Sequence, residues 1–418
     1  VLVKNSSGPN RPGAVLAKVA ICLPVLIGVV ALNLDGGRTM DERRRAQAAA
    51  DAAALAAGAD LYAHFSANKG LDPAGTARAA AEQVAAANGY PAPTVTVTIP
   101  PASGPYAGQA GHAEVSIATT LDATFGRVFT AEAAAVSARA VGRGEPLKFG
   151  IIALNRTKAG AFTSTAAAFA LVARPLVVNS NHPRALVNSS LVWLSLAPIK
   201  VTGGIDNSGL LAVTTKARTG VPPTYDPLAF LPVPDTAGMP VRSATPLTLN
   251  GLIYTLQPGV YKGGIRITGL SVVVMQPGVY VMEGGGFRVD GLATVAGLGT
   301  MVYNTTSPTY PAGPISVSGV GKVVMTAPLS GTYQGLNFFQ HRGLAQPISL
   351  TGLGLTTITG VIYAASAAVT LTGSVAIGLD ILGGAYVVDT LTVGGIGGVT
   401  IDLGTQNAPK VPDVRLVE

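Results

Sequence analysis

The chain has 418 residues, 48% of them apolar and only 12% charged, about half the charge of an average globular protein. Its net charge of +7 comes from scattered Lys and Arg. No basic stripe interleaved with aromatics is present, so nucleic acid is not an expected partner. The 52 glycines, with many Ser, Thr and Asn, suit tight turns between short strands. Cys22 is the single cysteine, which excludes an intrachain disulfide.

The first predicted element is a membrane helix from Ala14 to Leu34. About twenty mostly apolar residues at 1.5 Å each cover a hydrocarbon core of ~30 Å. Lys18 can snorkel to the headgroups, and Pro24 and Gly28 are tolerated in such helices. Cys22 reads as a buried apolar thiol in that membrane helix. A cleaved signal and a buried core helix are the alternatives, but no small-x-small site follows Ala31. Lys4, Arg11 and Lys18 oppose Arg38 and Arg43–Arg45, so the charge count leaves orientation open. Residues 1–13 are expected as a cytoplasmic tail, with the bulk of the chain extracytoplasmic.

Residues 35–146 predict a juxtamembrane α+β domain. The Ala-rich run from Ala46 to Ala59 continues the helix to about Phe65. A second helix is expected over Pro73–Asn88, capped by Asp72. Alternation predicts strands at Thr94–Ile99, Ala113–Leu121 and Ala134–Val141, with a short helix at Phe125–Phe129.

From 147 to 405 one phrase recurs: apolar, polar, apolar, polar or Gly, then Gly. It occurs at Ile199–Gly203, Ile265–Gly269, Phe287–Gly291, Ile315–Gly319, Ile348–Gly352, Val369–Gly373 and Leu391–Gly395. A longer duplicate, Leu256–Tyr261 and Met275–Tyr280, contains Gln-Pro-Gly-Val-Tyr twice. Repeats of this size predict a right-handed parallel β-helix, a solenoid whose stacked strands bury columns of Ile, Val and Leu. A β-sandwich is the alternative. The prolines between 219 and 246 mark an excursion that leaves the solenoid and returns. Residues 406–418 read as a C-terminal tail.

The N-terminal third resembles the TadG-like family of Flp (tight-adherence) pilus-assembly proteins. The resemblance is carried by Pro12-Gly13-Ala14, by Leu34-Asp35-Gly36-Gly37-Arg38, and by Gln47 leading into the string Ala49 to Ala57. The β-rich part resembles the region that follows in some members, through Asp226-Pro227-Leu228-Ala229, the two Pro-Gly-Val-Tyr copies and Ala327–Tyr333. The resemblance implies a bacterial inner-membrane, single-pass anchor. It also implies an extracytoplasmic domain, pilus-assembly components as partners, and a role in assembly or adhesion. It departs at one point: a pilin-type cut after Gly13 would place Lys18 where pilin-like relatives carry a glutamate. That favours an anchored accessory protein over a processed subunit.

Solenoids can carry polysaccharide lyases and hydrolases, whose chemistry needs paired carboxylates. Arg266 and Arg288 hold matching repeat positions, with Asp290 and Glu283 nearby, and form the candidate patch for an anionic surface polysaccharide. Asp206, Asp380, Asp389 and Asp402 are isolated in the sequence. His64, His112, His182 and His341 lack metal-ligand spacing, and no phosphate loop or nucleophile elbow occurs. The expectation is a non-catalytic envelope protein with no cofactor or metal, held in the bilayer by Ala14–Leu34.

Overall fold

Helix α1 runs unbroken from Pro12 to Ala63. It is seen in a computed structural model that describes residues 12–124, 133–146, 150–165, 170–172, 175–190, 192–195, 197–209, 211–214, 217–352, 356–373, 379–382, 384–396, 398–401 and 412–418. At 1.5 Å per residue α1 is about 78 Å long. Its two halves differ. In the first, Leu16, Val19, Ile21, Leu23, Val25 and Leu26 are exposed around the whole circumference. From Lys18 onward the helix holds a stretch long and apolar enough to cross a membrane, by length and composition. In the second half the apolar face narrows to one stripe. Ala46, Ala49, Ala50, Ala53, Ala54, Ala57 and Leu61 are buried three and four residues apart.

That stripe packs on a short helix, α3 (Thr76–Ala87), reached through the single turn α2 (Phe65–Asn68), and on an antiparallel sheet. The sheet order is Val95–Thr98, His112–Leu121, Ala134–Pro146, Pro412–Leu416. The alanine string is a close-packing device. A Cβ built on Gly58 would lie 2.7 Å from the Arg143 carbonyl oxygen, and Gly142 and Gly144 press equally on the backbone of Ala54 and Gly58. The N-cap of α3 is Gly75 rather than the expected Asp72, but the Asp72 carboxylate still reaches the first turn, accepting from the Ala77 and Arg78 amides at 3.3 and 3.0 Å. Pro73 falls in the preceding turn, so the helix starts later than predicted. The helix expected at Phe125–Phe129 lies outside the described residues.

One boundary is corrected. Pro412–Leu416 is not tail but a strand, paired antiparallel from Gly142↔Leu416 to Pro146↔Pro412. Arg139 fastens it, donating to Glu114 at 2.7 Å and to Glu418 at 2.6 Å. Burial of Glu114 is outweighed by bonds from Arg139, Ser103 and Ala102, which hold its carboxyl below the usual value. Residues 1–146 with 412–418 therefore form one unit, and 147–411 are inserted into it as a second.

The second unit is a parallel β-solenoid of about ten turns, which excludes the sandwich. Three columns of strands form its sides. The first column stacks, in order, Val241–Ser243, Gly259–Lys262, Gly278–Glu283, Thr300–Thr305, Leu336–Gln340, the starts of Val361–Gly373 and Ala385–Gly395, then Ile151–Ala153, Leu176–Val178, Ile199–Val201 and Ala217–Thr219. The second runs in parallel from Leu247–Asn250 to Ile205–Asn207, and the third from Ile253–Leu256 to Leu211–Thr214.

Stacking order is thus not chain order. The chain enters mid-column, winds to one end at Thr219, crosses to the other end, and winds back until Leu391 pairs with Phe162. Entry and exit are neighbours, as insertion between two paired strands requires. Residues 220–240 make the crossing. Fully extended they reach about 70 Å, ample for ten turns at ~4.8 Å each. The excursion expected at 219–246 is thus shorter, and it does not leave the solenoid. Leu228 and Leu231 pack on the outer side of the first column, burying Val260, Val281, Tyr303, Phe339, Tyr363 and Val387.

Six of the seven recurring phrases stack in register on the second column, Ile265↔Phe287↔Ile315↔Ile348↔Val369↔Leu391. The seventh, at Ile199, belongs to the first column. Gly251, Gly269 and Gly291 turn the same corner in successive coils with φ of +75°, +67° and +72°, a region that favours glycine. The Gln-Pro-Gly-Val-Tyr copies are offset by two residues, since Gly259 pairs with Tyr280. What the copies share is local: the Tyr261 and Tyr280 hydroxyls donate to the Gln257 and Gln276 carbonyls at 2.6 and 2.7 Å.

Candidate functional site

The outward row of the second column starts with Thr248, Arg266, Arg288, Ser316, Ser349, Thr370, Thr392 and Thr163. Their neighbours Ile and Val point in, so each strand alternates buried and open. Adjacent turns are ~4.8 Å apart, which sets a line of hydroxyls beside two stacked arginines.

The structure brings Arg266, Arg288 and Asp290 together. Arg266 and Arg288 are register partners, a like-charge juxtaposition that costs stability. Asp290 offsets it: the Arg266 Nε donates to its Oδ2 at 3.0 Å. Among the described residues the Arg288 side chain has no hydrogen bond or ion pair, and it is exposed. The cluster therefore carries one net positive charge and one open guanidinium fork, which matches a carboxylate or sulfate. Glu283 is not part of it. That residue lies on the first column, in register with Lys262 and Thr305. Asp206 is held by Arg184 at 2.8 Å and Asp389 by Asn155 at 2.9 Å. Asp402 and the side chain of Asp380 lie outside the described residues.

A second cluster escaped the sequence reading. The Tyr363 hydroxyl donates to Asp226 at 2.7 Å and accepts from the Arg342 Nε at 2.8 Å. Arg342 also donates to the Leu228 carbonyl at 2.8 Å and to that of Leu231, and stacks over Phe339 and Tyr363. Burial, then the bond to Asp226, pushes the Tyr363 hydroxyl far up. These side chains latch the 220–240 segment to the solenoid. Asn179 and Thr224 add a reciprocal pair of bonds at 2.7 and 2.8 Å.

In the first unit, a hollow of about 250 Å³ is lined by Asp35, Thr39, Leu121 and Asp122 with three alanines. Typical ligand pockets run ~300–1,000 Å³. Among the described residues no three His, Cys, Asp or Glu side chains converge as a metal site would need.

The residues assigned to the anchor, Ala14, Lys18, Pro24, Gly28 and Leu34, all lie on α1, and Pro24 does not interrupt it. This helix carries the decisive comparison. Residues 13–60 match the Tad family model, described as Flp pilus-assembly TadE/G-like. No curated protein and no solved structure matches the chain. The Tad segment thus spans the apolar stretch and most of the alanine stripe, and a β-solenoid follows it. It supports a Flp, tight-adherence-related role. The match ends at residue 60, so the likeness at Asp226–Ala229 and the Pro-Gly-Val-Tyr copies rests on sequence reading.

Proposed function

We propose that this protein is a single-pass, inner-membrane component of Flp-type pilus assembly that carries a non-catalytic solenoid outside the cytoplasm. The observation that carries the reading is the Tad match on a helix whose first half is apolar all round and whose second half packs on a folded unit. Lipid is the partner of the first half. The solenoid supplies contacts for pilus-assembly components or surface polysaccharide. Arg288 and the hydroxyl row would serve as the polar contact face, each contact weak and the sum spread over many turns. A structural role is favoured because Asp290 stands beside arginines rather than beside a second acid, while glycoside hydrolysis uses two.

A tag at the C-terminus tests this. The intact chain should sediment with membranes and resist alkaline extraction. Protease should remove the tag in spheroplasts but not in intact cells. A soluble cytosolic product would overturn the assignment. Polysaccharide turnover lost on Asp290→Asn would replace the non-catalytic reading, and a mature N-terminus at Ala14 would replace the permanent anchor with a processed pilin.

A further inference from the structure

Two outer sides of the solenoid are apolar, and one of them has a cover. The first column is covered by residues 220–240. The third column has no such cover among the described residues. Its outward rows read Ile253↔Val272↔Thr294 and Thr255↔Val274↔Ala296↔Val324↔Thr357. These strands, Ile253–Leu256, Val272–Met275, Thr294–Gly297, Val323–Thr326 and Thr356–Thr359, contain no charged residue.

A ridge borders this side. Leu252, Leu270, Leu292 and Val320 follow the corner glycines of four successive turns and are 55–69% exposed. Ile396, after Gly395, repeats the motif further along at 65%. With Ile253 80% exposed and Val272 and Val274 near 40%, the patch runs over three turns and meets the exposed Lys322, next to Thr294 in the same outward row, at the fourth. An isolated exposed Leu means little, but a contiguous apolar patch marks an interaction surface.

We propose that this side docks a second copy of the same chain, sheet against sheet. Three features select that occupant. First, seven Leu, Ile and Val side chains so exposed approach the ~800 Å² per partner of a standard interface. Second, a twofold interface sets the patch against itself, so a charge near the axis would meet its own copy; the strands of the first three turns carry none. A lipid surface would instead call for a cationic and aromatic fringe, whereas among the described residues of these outward rows Lys322, at the fourth turn, is the one cation. Third, the ridge repeats at ~4.8 Å, and the same repeat on a partner lets side chains interleave at a sheet separation of ~10 Å. This inference does not depend on the proposed function.

The test uses the full chain in the bacterial cells that express it, with Cys22→Ser, which removes the single native thiol. Single cysteines at Leu252, Leu270, Leu292 and Val320 are treated with a short bismaleimide. A crosslinked homodimer is expected from at least one of them, and none from Ser349→Cys on the second column. Adding Ile253→Lys should lower the yield at least tenfold while leaving circular dichroism unchanged. Leu270→Lys, read at the Leu292 cysteine, provides a second variant should the first misfold. The proposal is overturned by absence of a homodimer at all four positions, by yields indifferent to both lysines, or by crosslinks to lipid or another protein alone.

Discussion

The first and second columns of the solenoid belong to the same turns and share one backbone geometry, yet their outward rows are opposites. One reads Val260, Val281, Tyr303, Phe339, Tyr363, Val387, Ile152; the other reads Thr248, Arg266, Arg288, Ser316, Ser349, Thr370, Thr392. The difference is the cover. A strand buried on both faces loses its alternation, and beneath residues 220–240 Leu336–Gln340 and the start of Ala385–Gly395 are buried without a break. Beyond the contact between Asn179 and Thr224 the first column returns to Lys200 and Arg218, both exposed. The chemistry of an outward row therefore reports whether something lies on it.

The largest effect should come from deleting the centre of the covered row. Phe339 sits 5.0 Å from the Tyr303 ring and 5.1 Å from that of Tyr363. Phe339→Ala should cost about 4 kcal/mol, whereas Ser349→Ala on the open row should stay within ~0.5 kcal/mol. Denaturant unfolding of the full chain reads both. Equal effects would abolish the distinction between the two rows.

Releasing the cover is the next step down. Arg342→Ala removes charge-assisted bonds to Tyr363, Leu228 and Leu231 and leaves two buried carbonyls without a donor, at about 3 kcal/mol. Hydrogen exchange should quicken over residues 224–232 before it does in the second column. Uniform exchange across both columns would mean that the latch supports the whole solenoid rather than its cover.

Alkali should separate the sides without mutation. Burial raises the hydroxyls of Tyr363, Tyr303 and Tyr333 beneath or beside the cover. Each favours its neutral form when folded. That stability is fully present below the ordinary tyrosine value of about 10 and is lost as pH climbs from there toward the raised folded values. Protease sites within 220–240 should open above about pH 10. Tyr363→Phe should narrow that alkaline loss.

Much of this contrast was readable from residues. The phrases at Ile265, Phe287, Ile315, Ile348, Val369 and Leu391 share length and parity, and parity alone decides which side chains face inward. Hence their register and the Arg266–Arg288 pairing followed. Parity does not say which column a phrase joins, so the Ile199 copy looked equivalent and was not. Nor does a repeat name its neighbour, so the join of Leu391 to Phe162 could not be read. The latch combines Asp226, Arg342 and Tyr363, which are near only after stacking. Pro412–Leu416 has too short a pattern to distinguish a strand from a tail. The alanine string of α1 read as helix propensity, while its reason, close approach to Gly142 and Gly144, lies far along the chain.

The smallest effect concerns the open row. Arg266 and Asp290 are both well hydrated, with side chains 56% and 31% exposed, so Arg266→Ala should change stability by under ~1 kcal/mol. Asp290→Ala is more informative, because it leaves Arg266 and Arg288 adjacent with no acid between them. Its cost should also be under ~1 kcal/mol, but it should depend on salt, fading near 1 M where the screening length falls to ~3 Å. Thermal unfolding at low and high salt measures this. A loss that salt does not reduce would mean that Asp290 acts through the backbone corner at Gly291 rather than by charge, and the open row would then need no compensation for its paired arginines.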